Sequence, residues 1–232
     1  MKTVLVTGSS RGIGRATIIE FAKHGYNVVI NYLTSKEKAE DLKKLVGDKY
    51  KIKALTVKAD VTNDKEVKDM VNIIYDTFGS IDVVVNNAVF ENDDTYFNKT
   101  KEDFLKTFDV NVYGVFNVIR EVSKYMDNGI VINISSTDSE DTYSELSMDY
   151  SASKAALNSI TKSYALAIPN IKFVALLLPW INTESTNEML PEYLESELKR
   201  TNQDRLLEPE EVAKKIYEVT TSNIDSGSIR GV

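Results

Sequence analysis

The chain has 232 residues, 42% of them hydrophobic and 27% charged, an ordinary globular composition on a length that suits one domain over 1–232 and excludes wholesale disorder. It has no cysteine and a single histidine, His24, so disulfide frameworks, thiol nucleophiles, zinc fingers and iron–sulfur clusters lack ligands and no metal site is expected. Lys and Arg number 28 against 35 Asp and Glu, a formal charge of −7, which is the wrong sign for a protein that wraps a nucleic-acid duplex.

No stretch approaches the run of about 20 apolar residues needed to span a membrane, and no targeting segment is visible, so a cytoplasmic location is expected. The first strand, 3–6, runs into Thr7-Gly8-Ser9-Ser10-Arg11-Gly12-Ile13-Gly14, and a helix follows over 13–24. Glycines at 8, 12 and 14 permit a tight turn, let backbone N–H groups approach a pyrophosphate, and remove Cβ atoms where helix packs on strand. The helix N-terminus adds a field that favours anions. His24 and Gly25 end that helix as a capping pair, not as catalytic groups.

The second strand, 27–31, is followed by Tyr32-Leu33-Thr34-Ser35-Lys36, with no carboxylate before Glu37. Dinucleotide sites usually place an acid there to grip the ribose 2′-OH. Nothing would repel a 2′-phosphate, and Arg11 and Lys36 are candidates to pair with one. NADP(H) is therefore favoured as cofactor over NAD(H).

A helix over 36–46 precedes the third strand, 53–58, and a helix over 64–78 precedes the fourth, 81–86. Asp60 and Val61 leave the third strand, where Thr62 or Asn63 suits a helix N-cap. Segment 90–100 lacks a strand pattern and leaves a strand's carboxyl end, the edge at which open α/β sheets bind ligands. A helix over 101–126 follows. From Phe104 to Met126, thirteen of 23 residues are large and apolar, too many for one core-facing stripe, and a second face packed on another subunit is expected.

The fifth strand, 129–135, ends in Ile134-Ser135-Ser136, and Tyr150-Ser151-Ala152-Ser153-Lys154 opens a helix over 149–167. Residues four apart share a helical face. A nearby ammonium favours the tyrosinate, lowering a phenol whose ordinary pKa is about 10. Tyr150 then suits a general acid toward a carbonyl or a base toward an alcohol, and a strand-end serine can orient the same oxygen. The sixth strand, 171–178, the strandless segment 182–207, a helix over 209–221 and a weak strand over 228–232 complete the chain. Its four prolines, at 169, 179, 191 and 209, all fall at connections or helix starts. Continuous apolar runs such as Val83-Val84-Val85 suit strands covered on both faces, so the alternation predicts an α/β fold, a Rossmann-type doubly wound parallel sheet.

Together these motifs resemble the short-chain dehydrogenase/reductase family, and within it the 3-oxoacyl-[acyl-carrier-protein] reductase type. The likeness spans nearly the whole chain: the turn at Thr7–Gly14, Asp60-Val61, Asn86-Asn87-Ala88, Asn111, Ser136 and the Tyr150/Lys154 pair. It implies a tetrad in which Ser136 polarises a carbonyl and Tyr150 delivers the proton. Lys154 holds the nicotinamide ribose and lowers the tyrosine pKa, and Asn111 positions a water linking Lys154 to solvent. It further implies cofactor contacts at Gly8, Ser10, Arg11, Gly12, Ile13, Gly14, Asn31, Asp60, Val61, Asn87, Ala88, Tyr150, Lys154, Ile181 and Thr183, and a homotetramer or homodimer.

Val89 and Pro179 stand where the family usually has glycine, and Asp138, Glu140, Asp141, Glu145 and Asp149 make the stretch before Tyr150 acidic. Those two substitutions motivate a competing reading, a non-catalytic NAD(P)-binding regulatory protein. The expected substrate is a small carbonyl or alcohol, either bound to an acyl carrier protein or free as a sugar, steroid, quinone or small ketone. An acidic carrier needs a basic patch, for which Lys99 with Lys101, or Arg120 with Lys124, are candidates.

Overall fold

The structure is a computed structural model that describes residues 1–140 and 142–232; Asp141, counted above in the acidic stretch, lies outside the described residues. Seven parallel strands form one sheet in the order β3-β2-β1-β4-β5-β6-β7. They are β1 Thr3–Val6, β2 Asn27–Tyr32, β3 Ala54–Lys58, β4 Val83–Asn86, β5 Gly129–Ser136, β6 Ile171–Leu178 and β7 Ser228–Gly231. Nine helices accompany them among the described residues: α1 Gly12–Lys23, α2 Lys36–Tyr50, α3 Asp64–Phe78, α4 Lys101–Phe108, α5 Gly114–Val122, α6 Met148–Ala167, α7 Glu184–Asn187, α8 Pro191–Arg200 and α9 Pro209–Thr221.

Strand side chains alternate between faces, and here each face carries its own core. Val4, Val6, Val28 and Ile30 pack with Phe21 of α1, Leu42 of α2 and Ile216 of α9. Leu5, Val29, Val84 and Val131 pack on the other side with Met70 of α3, Val118 of α5 and Leu157 of α6. Every residue of β1, β2 and β4 is buried, which is why these strands read as unbroken apolar runs. The chain runs outward in opposite directions from β1 and β4, and the crevice between their carboxyl ends receives the turn at 7–14 and the loop after Asn86. No helix among the described residues is long and apolar enough to cross a membrane.

Two regions differ most from the sequence expectation, and α2 also runs four residues past the expected 46, to Tyr50. The helix expected over 101–126 is interrupted by one turn of π-helix, Asp109–Tyr113, and α5 ends at Val122. Asn111 sits in that turn, fully buried, with its amide tied to the backbone of Phe90. Single π-turns inside α-helices are rare and occur frequently at functional sites. Segment 182–207 contains α7 and α8. Pro191 at the first position of α8, Glu192 behind it and Lys199 and Arg200 in its last turn are ordinary helix-end signals that the strand-centred reading passed over.

Candidate active site

The glycine-rich turn is held by two asparagines. The Gly8 N–H donates to Asn31 Oδ1 at 3.0 Å, and Asn31 Nδ2 donates to the Ala59 carbonyl at 3.0 Å. Asn87 Nδ2 donates to the carbonyls of Thr7 and Gly8 at 2.9 and 3.1 Å, while Thr7 Oγ1 accepts the N–H groups of Asn87 and Ala88. Gly8 has φ +60°, and a Cβ on it would lie 2.9 Å from Ala88 Cα. At Gly14 a Cβ would lie 2.7 Å from both Asn87 Nδ2 and Ser9 Cα. These glycines are therefore required by close packing whatever binds nearby.

The start of α1 is open. No side chain caps it and its first turn holds no acid, whereas Asn63 caps α3 and Thr100 forms a capping box on α4. Its first N–H groups lack intrahelical partners, and this uncapped end fits a pyrophosphate. Ser10 is buried, Ile13 packs toward the core and Arg11 projects outward. Thr183, the N-cap of α7, lies over the turn: its Cγ2 is 3.8 Å from the Cβ position at Gly12. Ile181 is buried beside it, bridged to Leu207.

Three expected cofactor contacts have their polar groups engaged within the chain. Asn31 is buried and braces the turn. The Asp60 carboxylate accepts from the N–H and hydroxyl of Thr62 at 2.9 and 2.8 Å, and the Val61 carbonyl accepts from Asn117 Nδ2 at 2.9 Å. Val89 is exposed and is not among the residues with positive φ, so a branched side chain sits there without backbone strain. His24 stacks on Tyr217 with ring centroids 3.7 Å apart, at the C-cap of α1.

The four residues of the expected tetrad converge on the carboxyl edge of β5. Ser136 ends that strand, and Tyr150 and Lys154 lie in the first turns of α6. Lys154 Nζ donates to the Ile134 carbonyl at 2.8 Å and lies 5.3 Å from the centre of the Tyr150 ring. Asn111 Oδ1 accepts the Phe90 N–H at 2.8 Å, and its Nδ2 donates to the Phe90 carbonyl and to Ser153 Oγ at 2.9 and 3.0 Å. One polar network thus joins the π-turn, the loop after β4 and α6.

The electrostatics correct one expectation. The Tyr150 phenol is pushed up, not down, first by desolvation and then by the facing carboxylates of Glu91 and Asp138; the Ser136 hydroxyl works the other way. The Lys154 ammonium is anchored on a carbonyl beneath the ring, and desolvation lowers its own pKa to about 8, opposed by Glu91. Glu91 is exposed at the residue level, yet its carboxyl is raised to about 7, first by desolvation and then by Asp93, against the pull of Lys154. Sequence reasoning missed Glu91 and Asp93, although both lie in a segment it marked as bordering a site.

Two further basic residues tie the segments around Tyr150 together. Arg200 of α8 reaches across, its Nη2 3.7 Å from Asp138 Oδ1 and its Nη1 donating to the Tyr143 carbonyl at 2.9 Å. Lys99 is not a surface cation: its Nζ lies 2.7 Å from Asp149 Oδ1, with the two side chains 2% and 1% exposed. The expected Lys99–Lys101 docking patch is therefore absent, because the charge is needed inside to neutralise Asp149. Arg120 and Lys124 share Glu121 as an ion-pair partner.

Residues 2–193 match the short chain dehydrogenase family. The 3-oxoacyl-[acyl-carrier-protein] reductase of Staphylococcus epidermidis is 32% identical over 93% of this chain and 89% of its own length. The protein of the same name from Thermotoga maritima is 33% identical over 100% of this chain and 96% of its own. Among solved structures, a dehydrogenase/reductase from Sinorhizobium meliloti superposes with a TM-score of 0.92 at 26% identity, covering 100% of this chain and 93% of that one. A double mutant of a Serratia marcescens short-chain dehydrogenase/reductase gives a TM-score of 0.93 at 27% identity, covering 100% and 96%.

Proposed function

Because the chain belongs to the short-chain dehydrogenase family, and so to the nicotinamide-dependent oxidoreductases, we propose that it reversibly reduces a carbonyl to an alcohol with NADP(H), using Ser136, Tyr150, Lys154 and Asn111. The observation that carries this reading is the buried Lys154 amine held under the Tyr150 ring, on the same crevice as the uncapped start of α1. The bound cofactor supplies the hydride. Gly8, Ser10, Arg11, Gly12, Ile13 and Gly14 would hold its phosphates, Asp60, Val61, Asn87 and Ala88 would line its adenosine side, and Lys154, Ile181 and Thr183 would hold its nicotinamide end. Tyr32, Leu33 and Thr34 put no acid beside the ribose and Arg11 is exposed, which supports the 2′-phosphorylated form.

In this reading the Ser136 hydroxyl orients the substrate oxygen. Tyr150 stays protonated through neutral pH because its pKa is raised, and so is ready to donate. The Lys154 cation stabilises the tyrosinate left behind. Asn111 holds the loop after β4 against α6, keeping the path beside Lys154 in shape. Tyr150→Phe should lower turnover by about 10²- to 10⁴-fold while NADPH fluorescence titration shows unchanged binding. Full turnover in that variant would overturn the mechanism.

The relatives support a 3-oxoacyl thioester as substrate. A second reading, a free uncharged ketone or sugar, is favoured by the carboxylates of Glu91, Asp93 and Asp138 that face Tyr150, since they disfavour anionic groups at the mouth. Comparing kcat/KM for an acyl-carrier thioester with that for free ketones decides between the two. We also propose a homodimer or homotetramer built on an open apolar groove of about 650 Å³, lined by Leu105, Phe108, Val112, Tyr113, Phe116 and Ile160 among others. Light scattering that finds a 26.1 kDa monomer at micromolar concentration would remove that assembly.

A further inference from the structure

We infer that Glu184 is an intramolecular stand-in for the cofactor's 2′-phosphate: it holds Lys38 and Arg11 until a 2′-phosphorylated nucleotide displaces it, and so sets the discrimination between NADP(H) and NAD(H). The inference rests on the dinucleotide site proposed above and adds two residues, Lys38 and Glu184, that the motifs do not mark.

Three segments meet at this point. Arg11 comes from the turn leaving β1, Lys38 from the first turn of α2 after β2, and Glu184 from the start of α7 after β6. Lys38 Nζ donates to Glu184 Oε1 at 3.0 Å and Oε2 at 2.8 Å, and Arg11 Nη1 lies 3.9 Å from the same Oε2. Among the described residues Glu184 is the one carboxylate paired with either cation. Arg15 also acts on it, and together the three cations hold its carboxyl below the ordinary range. With the carboxylate displaced, Lys38 and Arg11 carry two positive charges, which matches the −1.5 to −2 of a phosphate monoester at about neutral pH.

Lys38 already donates a hydrogen bond to each carboxylate oxygen, and a phosphate brought to the same cations would repel the carboxylate as it took those donors. The three side chains are 64%, 53% and 52% exposed for Arg11, Lys38 and Glu184. Ion pairs this exposed are weak enough to yield to a ligand at ordinary concentrations. NAD(H) has nothing to offer Lys38, so the Lys38–Glu184 tie between α2 and α7 survives its binding.

Calorimetric titration of adenosine 2′,5′-bisphosphate and of 5′-AMP, against wild type, Glu184→Gln and Lys38→Gln, tests this without turnover. Glu184→Gln should bind the bisphosphate about 3- to 10-fold more tightly, and Lys38→Gln about 5-fold more weakly, with 5′-AMP within about twofold in both. Glu188→Gln, a charge change at the far end of α7, should leave the ratio unchanged. Equal effects of Glu184→Gln on both nucleotides, or none, would overturn the inference while leaving the dinucleotide site standing. If wild type bound neither nucleotide, the site and the inference would fall together.

Discussion

Lys99→Met isolates the buried ion pair that joins the loop after β4 to the first turn of α6. In the native protein Lys99 also donates to the Asn92 carbonyl, and Asp149 Oδ2 accepts from Thr107 Oγ1 at 2.7 Å. Removing the ammonium leaves Asp149 ionised, about 1% exposed, with the Thr107 hydroxyl as its remaining side-chain donor. Breaking a buried pair from one side costs about 3–5 kcal/mol, and the surviving Thr107 bond places this case near 3, a large share of the roughly 5–15 kcal/mol that holds a domain folded.

In urea, with m near 3 kcal/mol per molar, that loss moves the unfolding midpoint down by about 1 M at pH 7.5. The Lys99 and Thr107 bonds hold the Asp149 pKa below its ordinary 3.8 in the folded state, against the desolvation that would raise it. The ion pair's contribution is therefore full above that value and is lost as pH falls through the lower folded one. The deficit of Lys99→Met should accordingly shrink below about pH 4, and Lys99→Met/Asp149→Leu should recover part of it at neutral pH. A midpoint within about 0.2 M of wild type at pH 7.5 would show that the pair is not closed in solution.

Carbonyl reduction should fall as pH rises through about 8, where Lys154 loses its proton; a rate flat to pH 10 would exclude that assignment. Glu91 raises the Lys154 pKa, so Glu91→Gln should move the alkaline limb of the rate profile to lower pH, and an unmoved limb would show that the two groups do not communicate. Gly14→Ala places a Cβ 2.7 Å from Ser9 Cα and 2.9 Å from the Gly8 carbonyl oxygen. It should cost about 1–3 kcal/mol of stability and weaken nucleotide binding, both readable in one thermal-shift experiment with and without NADPH.

The fold was legible in the residues because its signals are local. Strands covered on both faces must be apolar throughout, so Val28-Val29-Ile30 and Val83-Val84-Val85 announce themselves, and the glycines at 8 and 14 stand where the backbone admits no Cβ. The Tyr150–Lys154 spacing is likewise a property of one helix. The second apolar face of the 101–126 region also showed in the composition, and Leu105 and Phe116 emerge exposed on it.

What folding decided is everything that depends on the group opposite. Asn111 in the π-turn bonds to Phe90, 21 residues away, and Lys99 is internal because Asp149 arrives 50 residues later in the chain. The Tyr150 pKa rises because packing strips water from the phenol and brings up Glu91 and Asp138 from other segments, while the amine one turn along bonds downward to Ile134. Lys38 and Glu184 meet across 146 residues. Backbone pattern is written in neighbouring residues, but an electrostatic environment is a sum over space, and only the packed chain determines which charges lie within reach and how much water remains between them.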